Sequence, residues 1–347
     1  MTSMADVTND SSGAAVSIPP TSVSAHSGRP AVGQRRSGWP AGIAGATGMV
    51  FVGGSVAVSS TLSEIHLFTA QAVRYAIAAL LLVAFGRLTG RRLKMPRGAE
   101  WWWLMGVAGT GLLVFNIALV HGARHAEPAV LGVAVACVPL LLAVIGPLLE
   151  GGRPTGVVLV AALVVTVGAA MVQGLGRSDA AGLAWAVVVL ACEAGFTLLA
   201  VPVLRRHGPW GVSVHATWIA TVAFCGVGLV REGPGAVTRL RIADWLAVGY
   251  LAVGVTALAF VLWYSCVRTL GASRAGLLTG VAPISAAAVG VLLGGPMPDP
   301  RVWAGIGVVA AGLVIGMARG GARSAAGVAG RSCAGPARPH DVPAHGH

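Results

Sequence analysis

Charge is what this sequence has least of. Only 10% of its 347 residues are Asp, Glu, Lys or Arg, against roughly 25% in ordinary soluble domains. A soluble fold must present mostly polar groups to water, and this chain cannot cover itself. The shortage excludes a cytosolic enzyme and a disordered chain. Lysine is almost missing, with Lys94 alone beside 23 arginines. Cysteine is sparse and unpatterned: Cys137, Cys192, Cys225 and Cys266 lie inside apolar runs and Cys333 in a polar tail. No CxxC or Cys/His spacing is present, which excludes a zinc site and a disulfide scaffold and leaves no cofactor or metal to expect. HExxH and other dense His/Asp/Glu clusters are also missing, which weighs against an integral-membrane enzyme acting on lipid intermediates. What remains is apolar, with 55% hydrophobic residues, a mean hydropathy of +0.78 and 50 glycines.

The apolar residues fall into long runs separated by short polar breaks. A spanning helix needs about 20 residues to cross about 30 Å of hydrocarbon. Runs that fit cover 41–60, 68–86, 101–120, 128–148, 155–173, 182–203, 211–230, 244–264, 272–294 and 301–318. They predict an all-α integral membrane protein of ten transmembrane helices. Only helices satisfy the backbone inside lipid with loops this short, and the runs are continuous rather than alternating, unlike barrel strands. Residues 1–40 and 319–347 are polar, rich in Ser, Pro, Gly and Arg, and read as disordered tails. His340, His345 and His347 belong to a solvated tail.

Basic residues orient such a bundle. With the N-terminus inside, Arg29, Arg35, Arg36, Arg87, Arg91, Arg92, Lys94, Arg97, Arg153, Arg205, Arg206, Arg268, Arg274, Arg319, Arg323, Arg331 and Arg338 are cytoplasmic. Arg124, Arg177, Arg231, Arg239, Arg241 and Arg301 lie outside, and Arg74 lies within a helix. Seventeen against six predicts both termini in the cytoplasm. The net charge of +12 is therefore an orientation signal rather than a nucleic-acid footprint.

A shift of 144 residues superposes the second half on the first without a gap. Arg124 meets Arg268, Gly132 meets Gly276, Pro139 meets Pro283, Gly146 meets Gly290, Pro154 meets Pro298 and Gly168 meets Gly312. Five helices per half is odd, so the halves, 41–173 and 182–318, enter the membrane in opposite senses. Inverted repeats of this kind build alternating-access transporters with the substrate site between the halves.

Two copies of one motif carry a resemblance. AEPAVLGVAVACVPLLLAVIGPLLEGGRPT (126–155) and GASRAGLLTGVAPISAAAVGVLLGGPMPD (271–299) each have a small-residue start, a mid-helix proline and a Gly-rich turn. With VRYAIAALLL (73–82), they resemble the EamA-type members of the drug/metabolite transporter superfamily over about 41–318. The resemblance implies secondary-active export of a small metabolite, amino acid or drug from a bacterial inner membrane. The chain departs from the family pattern twice. Gly294 stands opposite Glu150 where an acidic residue is expected, and Val52-Gly53-Gly54 replaces the usual Trp-Gly pair.

An ionisable group at the centre of a spanning helix costs at least about 2.5–3.5 kcal/mol, so it asks for a reason. Glu193, mid-way along its helix, is the candidate for proton coupling, with Thr197 one turn on to hydrogen-bond it. Arg74, one turn past Gln71, is placed to pair with a substrate carboxylate, with Glu193, or with the membrane surface by snorkelling. His215 is a candidate titrating group, and Asn116 and Tyr264 are candidate cavity-lining groups or interhelical hydrogen-bond formers. Pro139 and Pro283 each free a backbone carbonyl in mid-helix, a place for a hinge or a ligand or simply a packing kink. Trp101, Trp102 and Trp103 read as an interfacial anchor, and Glu64 and His66 as loop residues. Gly276/Gly280, Gly290/Gly294 and Gly312/Gly316 allow close helix contact, within the bundle or in a homodimer. The expectation is a ten-helix exchanger of a small solute within the bilayer, coupled to protons. Nutrient uptake, uniport and a non-transporting scaffold remain the alternatives.

Overall fold

The computed structural model describes residues 38–59, 66–294 and 297–332. Ten helices follow one another: α1 (Gly38–Ser59), α2 (Leu67–Leu88), α3 (Glu100–Gly122), α4 (Pro128–Leu149), α5 (Gly156–Gln173), α6 (Ala180–Leu198), α7 (Val201–Arg231), α8 (Ile242–Leu270), α9 (Ala272–Leu292) and α10 (Pro300–Ser332). Among the described residues nine of these, α2 to α10, are long and apolar enough to cross a membrane, α10 through its Pro300–Met317 portion. No strand forms among the described residues, and one isolated bridge joins Ala126 to Ser178. Leu80, Phe85, Val222, Leu229 and Val230 stay exposed, as expected where the surrounding solvent is lipid tails rather than water.

Short connections return the chain at each end, so one face carries the ends of α2, α4, α6 and α8 and the other the ends of α3, α5, α7 and α9. They are named here the Glu150 face and the Glu232 face. The expected spans are recovered, with differences at their ends. α8 continues to Leu270, and α10 runs on to Ser332, through an alanine-containing stretch that sustains a helix beyond the apolar run. Residues 1–37 and 333–347, with Cys333 and the tail histidines, lie outside the described residues, as does Glu64.

Five of the helices are interrupted, and four of the interruptions come in pairs. α3 loosens into a π-helix over Gly109–Val114 and α8 over Leu251–Leu258. α4 breaks at Cys137 just before Pro139, and α9 tightens to a 3-10 turn over Leu278–Gly280 just before Pro283. Proline removes a donor and crowds the carbonyl four residues back, so the ladder yields there. The 144-residue register therefore extends backwards: Glu100 and Asp244 stand in the first turns of α3 and α8. α7 has an unpaired kink, where Gly208 (φ 69°) breaks the helix before Pro209.

The halves meet in a reciprocal seam. A Cβ on Gly168 would lie 2.7 Å from Val309 N, and one on Gly312 would lie 3.0 Å from Val165 N, so α5 and α10 touch backbone to backbone. Two of the three expected glycine spacings are used inside the bundle, where Gly276 faces Leu142, Gly280 faces Val165 and Gly316 faces Leu277, whereas a Cβ on Gly290 or Gly294 would meet nothing within 4 Å. Gly53 of α1 sits against the Ala282 carbonyl of α9, which a larger side chain would forbid.

Candidate functional site

The most connected polar group in the bundle centres on Arg74. Its Nε donates to Thr256 Oγ1 (2.9 Å) and its Nη1 to Gln71 Oε1 (3.3 Å). Gln71 Nε2 donates to Asn116 Oδ1 (2.7 Å), and Asn116 Nδ2 donates to Leu112 O (2.5 Å) and to the Tyr75 hydroxyl (3.2 Å). The guanidinium also lies 5.1 Å from the Tyr75 ring centroid, a cation–π contact, and that ring stacks on Phe224 of α7 at 5.5 Å. The interrupted helices explain how these groups converge. Thr256 lies in the π-helix of α8 and donates to Leu251 O (2.9 Å), while Asn116 follows the π-helix of α3 and donates to Leu112 inside it. A π turn displaces the backbone ladder, and side chains take the carbonyls it misplaces.

Among the described residues no carboxylate pairs with Arg74. A guanidinium has five N–H donors, and two are used here. Three donors and a full positive charge remain within the bundle, flanked by a tyrosine ring and two amides. Such a group binds a planar anion, most favourably a carboxylate held by two parallel hydrogen bonds.

Glu193 sits on α6, half-buried, and its carboxyl has no hydrogen-bond or ion-pair partner among the described residues. The expected partner is engaged elsewhere: Thr197 Oγ1 accepts from Trp263 Nε1 (3.0 Å). Trp263 lies on α8 within reach, and an indole N–H must find an acceptor when buried. Tyr264, fully buried, donates to Phe196 O (3.1 Å) and interacts electrostatically with Glu193. No ion pair joins Arg74 to Glu193 among the described residues.

His215 is held at both nitrogens. Trp218 Nε1 donates to its Nδ1 (3.0 Å), so the ring proton sits on Nε2 and points at Lys94 O (2.9 Å). This neutral ring clasps the α2–α3 loop. Sequence reasoning missed its neighbours: Glu100 pairs with Arg206 and lies 3.2 Å from His207 Nε2, and His207 packs edge-on against His215. The available signal was the run Arg205-Arg206-His207 facing a helix that starts with Glu100. Of the three tryptophans, Trp102 is exposed, Trp101 packs edge-on against Trp218, and Trp103 lies against the core. Pro139 is buried beside the break in α4 and Pro283 half-buried beside the one in α9.

An inverted-repeat bundle of spanning helices, with a polar site between interrupted helices, defines a multi-pass membrane transporter. The chain belongs to the EamA-like transporter family, whose model matches residues 39–173 and again 180–317. It is 25% identical over 279 residues to an uncharacterized transporter, YetK, of Bacillus subtilis (strain 168), covering 78% of this chain and 84% of that protein. It is also 25% identical over 238 residues to a probable terminal-alkyne amino-acid exporter of Streptantibioticus cattleyicolor, covering 68% and 78%. A solved crystal structure superposes with TM-score 0.68 at 20% identity, over 81% of this chain and 97% of its own, which shows a shared fold.

Proposed function

We propose that this transporter exports a small carboxylate-bearing solute, of the amino-acid class, by alternating access in exchange for protons. The observation that carries the reading is Arg74, a guanidinium inside the bundle with hydrogen-bond partners but no carboxylate among the described residues. Leaving such a charge unpaired is costly, and a substrate carboxylate offsets that cost only while it is bound. Glu193 supplies the proton-accepting carboxyl, because no hydrogen bond or ion pair among the described residues ties it up and it is free to gain and lose a proton during the cycle. Similarity to a probable amino-acid exporter supports the substrate class. The excess of basic residues expected on the cytoplasmic side, seventeen against six in the sequence, supports a bacterial inner-membrane orientation with both termini in the cytoplasm.

Proteoliposomes test this. Vesicles are loaded with a panel of radiolabelled small amino acids, monocarboxylates and matched amides, and release is followed under an imposed proton gradient. Acids are expected to move and their amides not. Arg74→Gln should lower acid transport about 100-fold, the loss of a charged hydrogen-bonded pair worth roughly 3 kcal/mol. Glu193→Gln should leave binding intact and flatten the pH dependence of exchange. Equal transport of acids and amides, or Arg74→Gln transporting like wild type, would overturn the substrate assignment. A normal pH profile in Glu193→Gln would remove the coupling assignment.

A further inference from the structure

The two ends of the α4–α9 crossing are built differently. At the Glu150 face, Glu150 follows the last residue of α4, and its Oε1 accepts the Ala272 N–H of the first turn of α9 at 2.9 Å. A carboxylate at a helix N-terminus meets both unpaired amides and the positive end of the dipole. Ser273 Oγ donates to Leu142 O (3.2 Å), tying α9 to α4 a second time. Gly146 permits the approach, since a Cβ there would lie 3.1 Å from the Ala272 methyl and 3.2 Å from Ser273 N.

The 144-residue register places counterparts of Glu150, Ala272, Ser273 and Gly146 at the Glu232 face, and the first three lack the group that makes the contact. Gly294 stands for Glu150 in that register, and in the turn itself, where Gly294 (φ 89°) matches Gly151 (φ 76°), Leu293 holds the place of Glu150; neither has a carboxylate. Pro128 stands for Ala272 and has no N–H, and Ala129 stands for Ser273 and has no hydroxyl. Gly290 stands for Gly146, and nothing lies within 4 Å of the Cβ it would carry. The helices diverge accordingly. Val138–Leu149 packs on Ala272–Leu277, but Pro128–Ala136 leans on α5 and α6 while Val281–Leu292 leans on α1. Ser285 Oγ, donating to Val50 O (2.9 Å), fixes the α1 side of that divergence.

We propose that Glu150 is the latch of the gate at its face, and that the missing counterpart biases the resting transporter toward opening at the Glu232 face. The proposal rests on the alternating-access reading, in which the two states arise when the repeats exchange conformations. Repeats with equal latches would give states of similar energy. Here one state gains a charge-assisted hydrogen bond and the other gains nothing. With the orientation proposed above, the resting state opens to the outside, and the latch must release for a cytoplasmic solute to enter.

Spin-label distance measurements test this without a known substrate. In the full chain with its five cysteines replaced, one label pair at Arg153 and Thr269 spans the Glu150 face, and another at Arg124 and Leu292 spans the Glu232 face. All four positions are exposed. The parent should show one short distance at the first pair. Glu150→Ala should add a longer population there and a shorter one at the second pair, shifting their ratio roughly tenfold. Glu150→Gln, which keeps an acceptor oxygen, should fall between. Leu293→Glu with Pro128→Ala installs the absent carboxylate, at a position with the backbone conformation of Glu150, and the absent N–H, and should populate the state closed at the Glu232 face. Distances unchanged in a folded Glu150→Ala overturn the proposal. If that variant does not fold, distances unchanged in the double variant overturn it equally. Because the distances report conformation alone, a failed search for substrate leaves this result standing, and an unmoved latch leaves the substrate assignment standing.

Discussion

The α5–α10 seam and the α4–α9 crossing join the same two repeats and treat their symmetry in opposite ways. In the seam the contacts are reciprocal: Gly168 lies on Val309 and Gly312 on Val165, the same pair read in each direction. At the crossing, Glu150 binds Ala272 at one end and Gly294 has no neighbour within 4 Å of a Cβ at the other. A seam that keeps its contacts while the repeats exchange roles should be symmetric, because both states use it. A gate should differ between its ends whenever one state is to be preferred. Symmetry thus marks the axis of the molecule, and its loss marks where conformational preference is set.

Polar groups follow the same division. Arg74 and Gln71 sit one turn apart on α2, and their counterparts on α7 are Trp218 and His215, also joined through a side-chain hydrogen bond. The first pair leaves a cation with unused donors. The second pair is closed, with both imidazole nitrogens engaged and the indole against Trp101. On the function proposed here the first pair serves a ligand, whereas its mate clasps the α2–α3 loop.

The comparison can be broken most severely in the seam. Gly168→Val would drive its branched side chain into Val309 N and Gly305 O, 2.7 and 2.8 Å from even a Cβ. Backbone cannot yield as a side chain does, so the expected loss is about 3 kcal/mol or more. Gly312→Val should cost a similar amount. Gly290→Ala, at the open end of the crossing, should be tolerated and gain up to about 1 kcal/mol from helix propensity. Thermal unfolding in detergent reads all three. A tolerated Gly168→Val beside a damaging Gly290→Ala would reverse the roles assigned to seam and crossing.

A smaller effect is expected at Glu232, which fastens α7 to the start of α2. Its carboxylate accepts from Phe68 N and Thr69 N, both at 2.8 Å, and from the Thr69 hydroxyl at 2.5 Å. The register counterpart is Leu88, which has no carboxylate to offer α7. Glu232→Ala should lower stability by about 2 kcal/mol, as for loss of a helix cap with charged hydrogen bonds. The expected signature is faster hydrogen exchange confined to the first turn of α2. Exchange that rises equally along α7 would mean that Glu232 supports the bundle generally rather than one end of one helix.

Periodicity and hydropathy made the helices and the repeat legible, because burial in lipid writes both into long runs of residues. Arg74 and Gln71 were readable as a pair because one turn separates them. Asn116 could be singled out but not joined to them, and Thr256 was missed, because their convergence depends on two π-helices that local sequence does not announce. Thr197 was assigned to Glu193 on helical spacing, whereas Trp263 from another helix takes its hydroxyl. The departure at Gly294 was visible from the start, but its meaning needed the Ala272 amide that Glu150 binds. Contacts along one helix can be read from spacing, and contacts between helices need the fold.

The mildest test concerns how the α3–α4 connection is held, compared with its counterpart between α8 and α9. The second turns in one residue at Gly271 (φ 81°), and the next amide, Ala272 N–H, is accepted by Glu150. The first is pinned to the α5–α6 loop by charge: Arg177 Nε lies 2.9 Å from Glu127 Oε1, and His125 Nδ1 lies 3.0 Å from Asp179 Oδ2. The Gly182 N–H, and then His125, hold the Asp179 carboxyl below the usual carboxylate range, and Arg177 does the same for Glu127. A lowered folded pKa contributes stability that is fully present above the ordinary carboxylate values of about 4. That contribution is lost as pH falls through the lowered values. Between pH 7 and pH 5 the amides of 123–127 and 177–182 should therefore keep their protection, and below about pH 4 they should lose it. The Gly271 amide, which donates to the Val267 carbonyl rather than to a carboxylate, should show no such step. Salt should weaken the Glu127–Arg177 pair, since it is exposed and screened. Hydrogen exchange across a pH series, compared after correction for intrinsic rates, separates the two connections. A step of equal size at Gly271 would mean that acid loosens the bundle as a whole and that these loop charges hold nothing in particular.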